Sequence, residues 1–296
     1  MNNYFRCSDL GVLLNKGKPL RKISSWFEEN NLYFEMMKDM YMEEMKYCQD
    51  NHVVKKAKIT QELKPVIDQF IQQSKQNIRN DLNCVTNLVQ KQVDSKIKDI
   101  TQNSTCVIPT ETLNNIKQDM LKEIRCHSGV LGEEKFVKKE SLQESNNTCT
   151  YKAILGTFPH EWGILGKVDG LKEDRVIEHK FRTRRFFTSL FPSELLQLQA
   201  YMFLTNRKHA DLIQTRANSN DEKIISIEYD ECIIQEITEQ LQAWKNLYHY
   251  IESFKDTDNQ YTHFFKPYFE CETDYKRDDY INEELKKHKH DHLLTK

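Results

Sequence analysis

The stretch GKVDGLKEDRVIEHKFR, residues 166–182, decides how this chain is read. Two apolar runs flank the polar segment from Leu171 to Arg175, so the stretch predicts a β-hairpin with its turn centred between Glu173 and Asp174. Antiparallel pairing about that turn sets Asp169 opposite Glu178. Directly opposed residues share a face, with Cβ atoms roughly 5 Å apart. Side chains alternate along a strand, so Lys180 joins Glu178 while His179 points away. The hairpin therefore gathers two carboxylates and one ammonium. Two carboxylates so close repel each other unless something neutralises them. Lys180 does part of that, and a divalent cation does it better. Mg²⁺ takes octahedral oxygen ligands, commonly one or two carboxylates, waters and a substrate phosphate. Asp169, Glu178 and the backbone carbonyl of His179 suit the protein's share. Lys180 would then orient or deprotonate an attacking water, or stabilise the charged transition state. The bland alternative is the salt-bridged surface of an ordinary hairpin.

Working outward, glycine gives the punctuation. Six of the eight glycines lie between Gly129 and Gly170, and none lies between Gly17 and Gly129. A stretch that long without glycine reads as mostly helical. Its apolar residues agree: Ile59, Leu63, Val66 and Phe70, then Ile78, Leu82, Val85, Val89, Val93, Ile97 and Ile100 recur at three- and four-residue steps. This predicts a helical hairpin packed on the rest of the protein. A coiled-coil arm is the alternative, weakened by polar Ser74 in the seam. From about 129 the period changes. GVLGEEKFVKKESL predicts a helix, and YKAILGTF, GILGKVDG and DRVIEHKF predict three short strands. SELLQLQAYMFLTN predicts a helix capped by Ser193. HADLIQTR and KIISIEYD are two more strands, and ECIIQEITEQLQAWKNLYHYIESF is a long amphipathic helix. The order α-β-β-β-α-β-β-α predicts an α/β fold, a mixed central sheet flanked by helices.

Bulk properties exclude several classes. The net charge of −2 leaves no global basic signature, so nucleic-acid binding must come from local patches. No run of 18 apolar residues is present, so no membrane span is expected. The N-terminus lacks the order of a secretory signal. Eight cysteines without a CxxC pair suit reduced thiols of an intracellular protein, in cytoplasm or nucleus. No Gly-rich phosphate loop is present, so no nucleotide-driven motor is expected. His127 and His160 read as surface histidines, and the HKHDH run near the end as a polar tail.

With these elements placed, the chain resembles the PD-(D/E)XK nuclease superfamily. The motif stands as Gly166-Lys167-Val168-Asp169-Gly170-Leu171 and Ile177-Glu178-His179-Lys180, with Val168 where the family has proline. The following helix, Leu196 to Thr205, is similar to the Q-x-Q…M…T pattern of lambda-type exonucleases and YqaJ-like recombinases. Gln197 and Tyr201 also satisfy the Q-x-x-x-Y pattern of RecB-like nucleases. Gly129-Val130-Leu131-Gly132-Glu133 resembles the G-x-x-x-E of the first core helix. Arg6-Cys7-Ser8-Asp9-Leu10 resembles the family's Ser-Asp-Leu opening. The likeness covers about residues 129–250.

The resemblance implies a restriction-endonuclease-like core, αβββαβ, with an N-terminal helical region. The expected division is 1–125 for the N-terminal segment and helices, 126–256 for the nuclease core, and 257–296 for a C-terminal extension and tail. It implies a Mg²⁺- or Mn²⁺-dependent deoxyribonuclease, with metal held by Glu133, Asp169, Glu178 and the His179 carbonyl. Glu134 rivals Glu133, because helix phase is not fixed to one residue by sequence. Asp169, Glu178, Lys180 and Gln197 are the catalytic candidates. Arg182, Arg184, Arg185 and Tyr201 are the DNA-binding candidates, with Phe186 or Phe187 stacking on a frayed base. DNA is the expected partner, and end processing in recombination, repair or viral genome processing the expected role. The helical region leaves three roles open: clamping DNA, recruiting a protein partner, or self-association. Two rival functions stand beside this one, a non-catalytic DNA- or partner-binding module and an RNA-cleaving enzyme on the same fold.

Overall fold

The hydrophobic alternation that predicts the strands is realised in two mixed sheets. The computed structural model describes residues 4–16, 22–31, 33–46, 53–80, 88–103, 110–140, 150–157, 160–182, 185–216, 221–254 and 257–289. The first sheet holds β1 (Tyr4–Arg6), β2 (Tyr151–Gly156) and β3 (Trp162–Gly166), in the order β1-β3-β2. β1 runs parallel to β3, with Phe5 beside Ile164, and β2 runs antiparallel to it. The second sheet holds β4 (Gly170–Lys172), β5 (Arg175–Arg182), β6 (His209–Arg216) and β7 (Glu222–Glu228), in chain order. β5 and β6 are parallel, with Glu178 beside Leu212; the other two pairings are antiparallel. A parallel pair needs a crossover connection. The helix between these strands supplies it.

Eleven labels suffice for the described α-helices: α1 (Leu10–Leu13), α2 (Ile23–Asn30), α3 (Phe34–Lys46), α4 (Val53–Asn80), α5 (Leu88–Asn103), α6 (Thr110–Glu140), α7 (Pro192–Thr205), α8 (Glu231–Ser253), α9 (Thr257–Gln260), α10 (Lys266–Phe269) and α11 (Asp274–His288). A π turn, Tyr261–Phe265, joins α9 to α10. The main core packs Trp162, Ile164, Val176, Leu198, Met202 and Leu212 against α8, through Trp244 and Leu247. It also takes Phe5, Leu10 and Phe27 from the N-terminal end, and Phe264, Tyr268 and Ile281 from the C-terminal end. Helices α4, α5 and α6 bury a second, smaller cluster that includes Ile71, Ile78, Val93, Ile100, Met120 and Ile124. Among the described residues, no helix is long and apolar enough to cross a membrane.

Four sequence expectations are corrected here. The first core helix does not begin near Gly129; α6 starts at Thr110 and runs through both glycines. Gly132 is a packing residue, since a Cβ there would lie 2.5 Å from Cγ of Phe181 on β5. Second, GILGKVDG is not one strand. It breaks after Gly166 and resumes at Gly170, so among the described residues four strands rather than three separate α6 from α7. Third, Ser193 does not cap α7. The helix starts at Pro192, and the Glu194 carboxylate accepts the Phe191 N–H at 3.1 Å. Fourth, among the described residues the glycine-poor region holds α2 to α6, with α4, α5 and α6 the long ones, and not a hairpin alone. Val66 is 40 % exposed and falls off the buried stripe, while Ser74 is buried. Leu82 and Val85 lie outside the described residues.

Candidate active site

The hairpin register places the first two acids. β4 and β5 pair Gly170 with Ile177, Leu171 with Val176 and Lys172 with Arg175, so the next positions outward are Asp169 and Glu178. The turn is Glu173-Asp174, with Glu173 in the left-handed region at φ 54°. Because the strand breaks before Gly170, the Asp169 side chain turns back onto backbone. Its Oδ2 accepts the N–H of His179 at 2.8 Å. Burial pushes the Asp169 carboxyl above the usual range; the His179 N–H, the Lys180 charge and a hydrogen bond with Glu178 oppose that rise.

Glu178 is buried, 3 % exposed. Its Oε1 accepts from the Lys180 ammonium and, at 3.3 Å, from Nε2 of Gln197 on α7. Gln197 also donates to the Tyr201 hydroxyl at 2.8 Å, as their four-residue spacing on one helix face requires. Glu178, Lys180 and Gln197 thus form one connected cluster, with Asp169 held across the hairpin from it by the His179 N–H. Its floor is tight. A Cβ on Gly166 would lie 2.6 Å from Cε1 of Tyr201 and 2.9 Å from Sγ of Cys7. Cys7 therefore belongs to the site's support, and Asp9, two residues on, accepts from Trp26 Nε1 at 3.2 Å. No sequence signal marks Cys7 for this place beyond its membership of the Ser-Asp-Leu opening.

The opposite face of β5 packs on α6. His179 is fully buried and stacks on Phe136, with ring centroids 4.0 Å apart and 6° between planes. Its Nε2 lies 2.7 Å from Oγ1 of Thr215. Burial first, then the Lys180 and Arg182 charges, pushes the imidazole down to about 4. The unfolded chain protonates its histidine near 6.5, so this contribution to stability is full above pH 6.5. It is lost as pH falls from 6.5 to 4, to the extent of about 3 kcal/mol. In EDTA, the urea midpoint is expected to drop across that window, and His179→Gln to flatten the drop. An unchanged slope in the variant would contradict the assignment.

The remaining candidates divide. Tyr201, expected to meet DNA, is 5 % exposed, and its hydroxyl accepts from Gln197. Arg182 is likewise turned inward. Its Nη2 pairs with Glu194 at 2.6 Å and its Nε donates to Gln214 at 3.0 Å. Sequence reasoning missed both partners: Glu194 was readable only as a first-turn acid, and Gln214 had no signal. Arg185 is exposed, with its guanidinium 5.7 Å from the Phe187 ring. Phe186 lies under Arg216, 5.5 Å away. His160 is exposed. Glu133 and Glu134 stand on α6, but their side chains lie outside the described residues, as does Arg184.

Two oriented carboxyl groups with an ammonium and an amide beside them suit a hard divalent cation that keeps part of its water. Among the described residues, no group of three His, Cys, Asp or Glu side chains converges on one point.

The chain matches no known protein-family model and no curated protein. Among solved structures it is similar to the alkaline exonuclease LHK-Exo from Laribacter hongkongensis, at 15% identity over 58% of this chain and 90% of that one, TM-score 0.30. LHK-Exo in complex with dAMP gives 16% identity, 53% and 77% coverage, and TM-score 0.29. A phage-related exonuclease from Haemophilus somnus 129PT gives 13% identity, 80% and 90% coverage, and TM-score 0.29. These neighbours are exonucleases, the class that the sequence motifs resemble. Overlap this loose carries no argument about chemistry, which has to come from the residues.

Proposed function

We propose that this chain is a Mg²⁺- or Mn²⁺-dependent deoxyribonuclease with a restriction-endonuclease-like core. It acts at DNA ends, in recombination, repair or viral genome processing inside the cell. One observation carries the reading: the buried Glu178 carboxyl takes the Lys180 ammonium and the Gln197 amide on one oxygen, directly across the hairpin from Asp169, whose own carboxyl is held by the His179 N–H. A structural ion pair needs one acid and one base. A second, desolvated carboxyl across the hairpin from it only adds cost, unless a cation is to be held there.

Asp169 and Glu178 would hold that cation, with the His179 carbonyl and Glu133 as the further candidates. The cation, when bound, offsets phosphate charge and makes water a nucleophile at neutral pH. The chain's own groups do the positioning. The His179 N–H fixes Oδ2 of Asp169, while Lys180 and Gln197 fix Oε1 of Glu178, so both carboxyl groups are oriented before substrate arrives. Lys180 keeps 25 % of its side chain exposed, enough to reach a water or a phosphate oxygen from its place on Glu178. Helices α4 and α5, which stand apart from the main core, are the surface for a protein partner or a second copy.

A cleavage panel tests this. Linear and circular, single- and double-stranded DNA, and RNA, are incubated with Mg²⁺, Mn²⁺ or EDTA. Loss of linear DNA that EDTA abolishes is the expected result. Cleavage that survives EDTA, or a folded protein that cuts nothing, would overturn the proposal, and cleavage of RNA alone would reassign the substrate.

A further inference from the structure

A second feature lies one step along the same face. Arg182 follows Lys180 by two residues, roughly 7 Å along the strand. Helix α7 runs back over β5, so that Gln197 reaches Glu178 while Glu194 reaches Arg182. The residues that lead into α7 therefore sit at the Arg182 end of this face, one alternation step beyond Lys180. They are held firmly. Gln214, fully buried, accepts the Phe187 N–H and donates to the Phe187 carbonyl, both at 3.0 Å. Phe187 is covered by the Arg182 guanidinium at 4.8 Å and meets Phe191 edge-on at 4.6 Å.

Phe191 is out of place by ordinary rules. It precedes the first residue of α7, where Ser, Thr, Asp or Asn would cap the helix, and its side chain cannot. Glu194 does the capping instead. Nor is the ring buried: Phe191 is 43 % exposed and braced by Phe187, whose ring has the exposed Arg185 guanidinium 5.7 Å away. A rigid, open phenyl face with a cation nearby recognises a flat π system that carries negative charge. We infer that Phe191 is a stacking platform for an unpaired deoxynucleotide of the strand that enters the site, with Arg185 on its phosphate. A base inside a duplex offers no free face to such a ring, so the platform prefers single-stranded ends. This rests on the nuclease reading for its substrate, though not for its geometry.

The test uses the full chain in EDTA, so that nothing is cut. Fluorescein-labelled oligo(dT) is titrated by anisotropy against wild type and Phe191→Ala. Phe191→Ala is expected to bind at least about tenfold more weakly, while blunt duplex binding is unchanged. Phe191→Trp should keep the affinity and show emission quenching on addition of oligo(dT) but not of blunt duplex. Equal affinity of Phe191→Ala and wild type would overturn the platform. So would an indole emission in Phe191→Trp that does not move although the protein binds the oligonucleotide. Loss of duplex and oligo(dT) binding together would overturn it as well, since stacking on an unpaired base would not touch both. Cleavage is read separately: a platform that stands in a protein that cuts nothing sinks the nuclease reading alone, and a nuclease whose oligo(dT) affinity ignores Phe191 sinks the platform alone.

Discussion

Asp169→Asn is expected to abolish DNA cleavage, by at least about a thousandfold, and to leave the protein as stable as wild type or more so. The loss follows from charge. The amide is nearly isosteric, and its oxygen still accepts the His179 N–H that Oδ2 accepts now. It carries no negative charge for a cation, and preorganised charge at the reacting centre is where single substitutions cost most. The stability follows from desolvation. Burial raises the Asp169 carboxyl above its unfolded value, so the protonated form favours folding. That contribution is full below the unfolded pKa and is lost as pH rises through the folded one. The amide never ionises, so the variant's advantage should appear on the alkaline side and vanish in acid. Lys180→Ala should lose activity to a similar extent by a different route, because Oε1 of Glu178 then loses its charged donor and keeps the Gln197 amide. Thermal melts from pH 4 to 9, with metal-supported cleavage at the neutral points, check both variants. Wild-type turnover in either one would sink the site assignment.

The part of this site that sequence makes legible is the part built by local rules. A two-residue turn and a period of two fix the register of Asp169 against Glu178, and the structure keeps that register up to Gly170. A spacing of four puts Gln197 on Tyr201. Other features depend on partners far along the chain. Gly132 looks like punctuation until Phe181 is seen against it, and Cys7 has no role until Gly166 and Tyr201 close over it. The terminal segments are read as additions because short helices carry too few residues to show a period. Yet Phe27 and Tyr268 are buried together at 5.7 Å between rings, and Trp244 donates to the Leu13 carbonyl. The basic run from Lys180 to Arg185 is the sharpest case, since composition gives its arginines one role and their neighbours give them at least two.

Arg182→Ala is therefore expected to cost stability, and Arg185→Ala to cost DNA affinity. The Arg182 side chain is 15 % exposed and that of Glu194 is 11 % exposed. Removing the guanidinium leaves a buried carboxylate without its countercharge, and takes a donor from Gln214, which is fully buried. Breaking a buried pair from one side typically costs about 3 kcal/mol. In a chain of this size that lowers the melting temperature by roughly 6–12 °C. The loss should also loosen residues 185–191, because Gln214 and Glu194 are the groups that hold Phe187 and Phe191. Removing both charges, in Arg182→Met with Glu194→Gln, should recover part of the stability, as a shared interaction requires. Arg185 is exposed and packs on the Phe187 ring, so Arg185→Ala should melt within about 0.5 kcal/mol of wild type. It should weaken oligonucleotide binding and reduce its salt dependence by about one counterion. The opposite pattern, Arg182→Ala with a wild-type melt and a DNA-binding defect, would restore Arg182 as a phosphate contact and remove the basis for reading its pair with Glu194 as the brace of the loop.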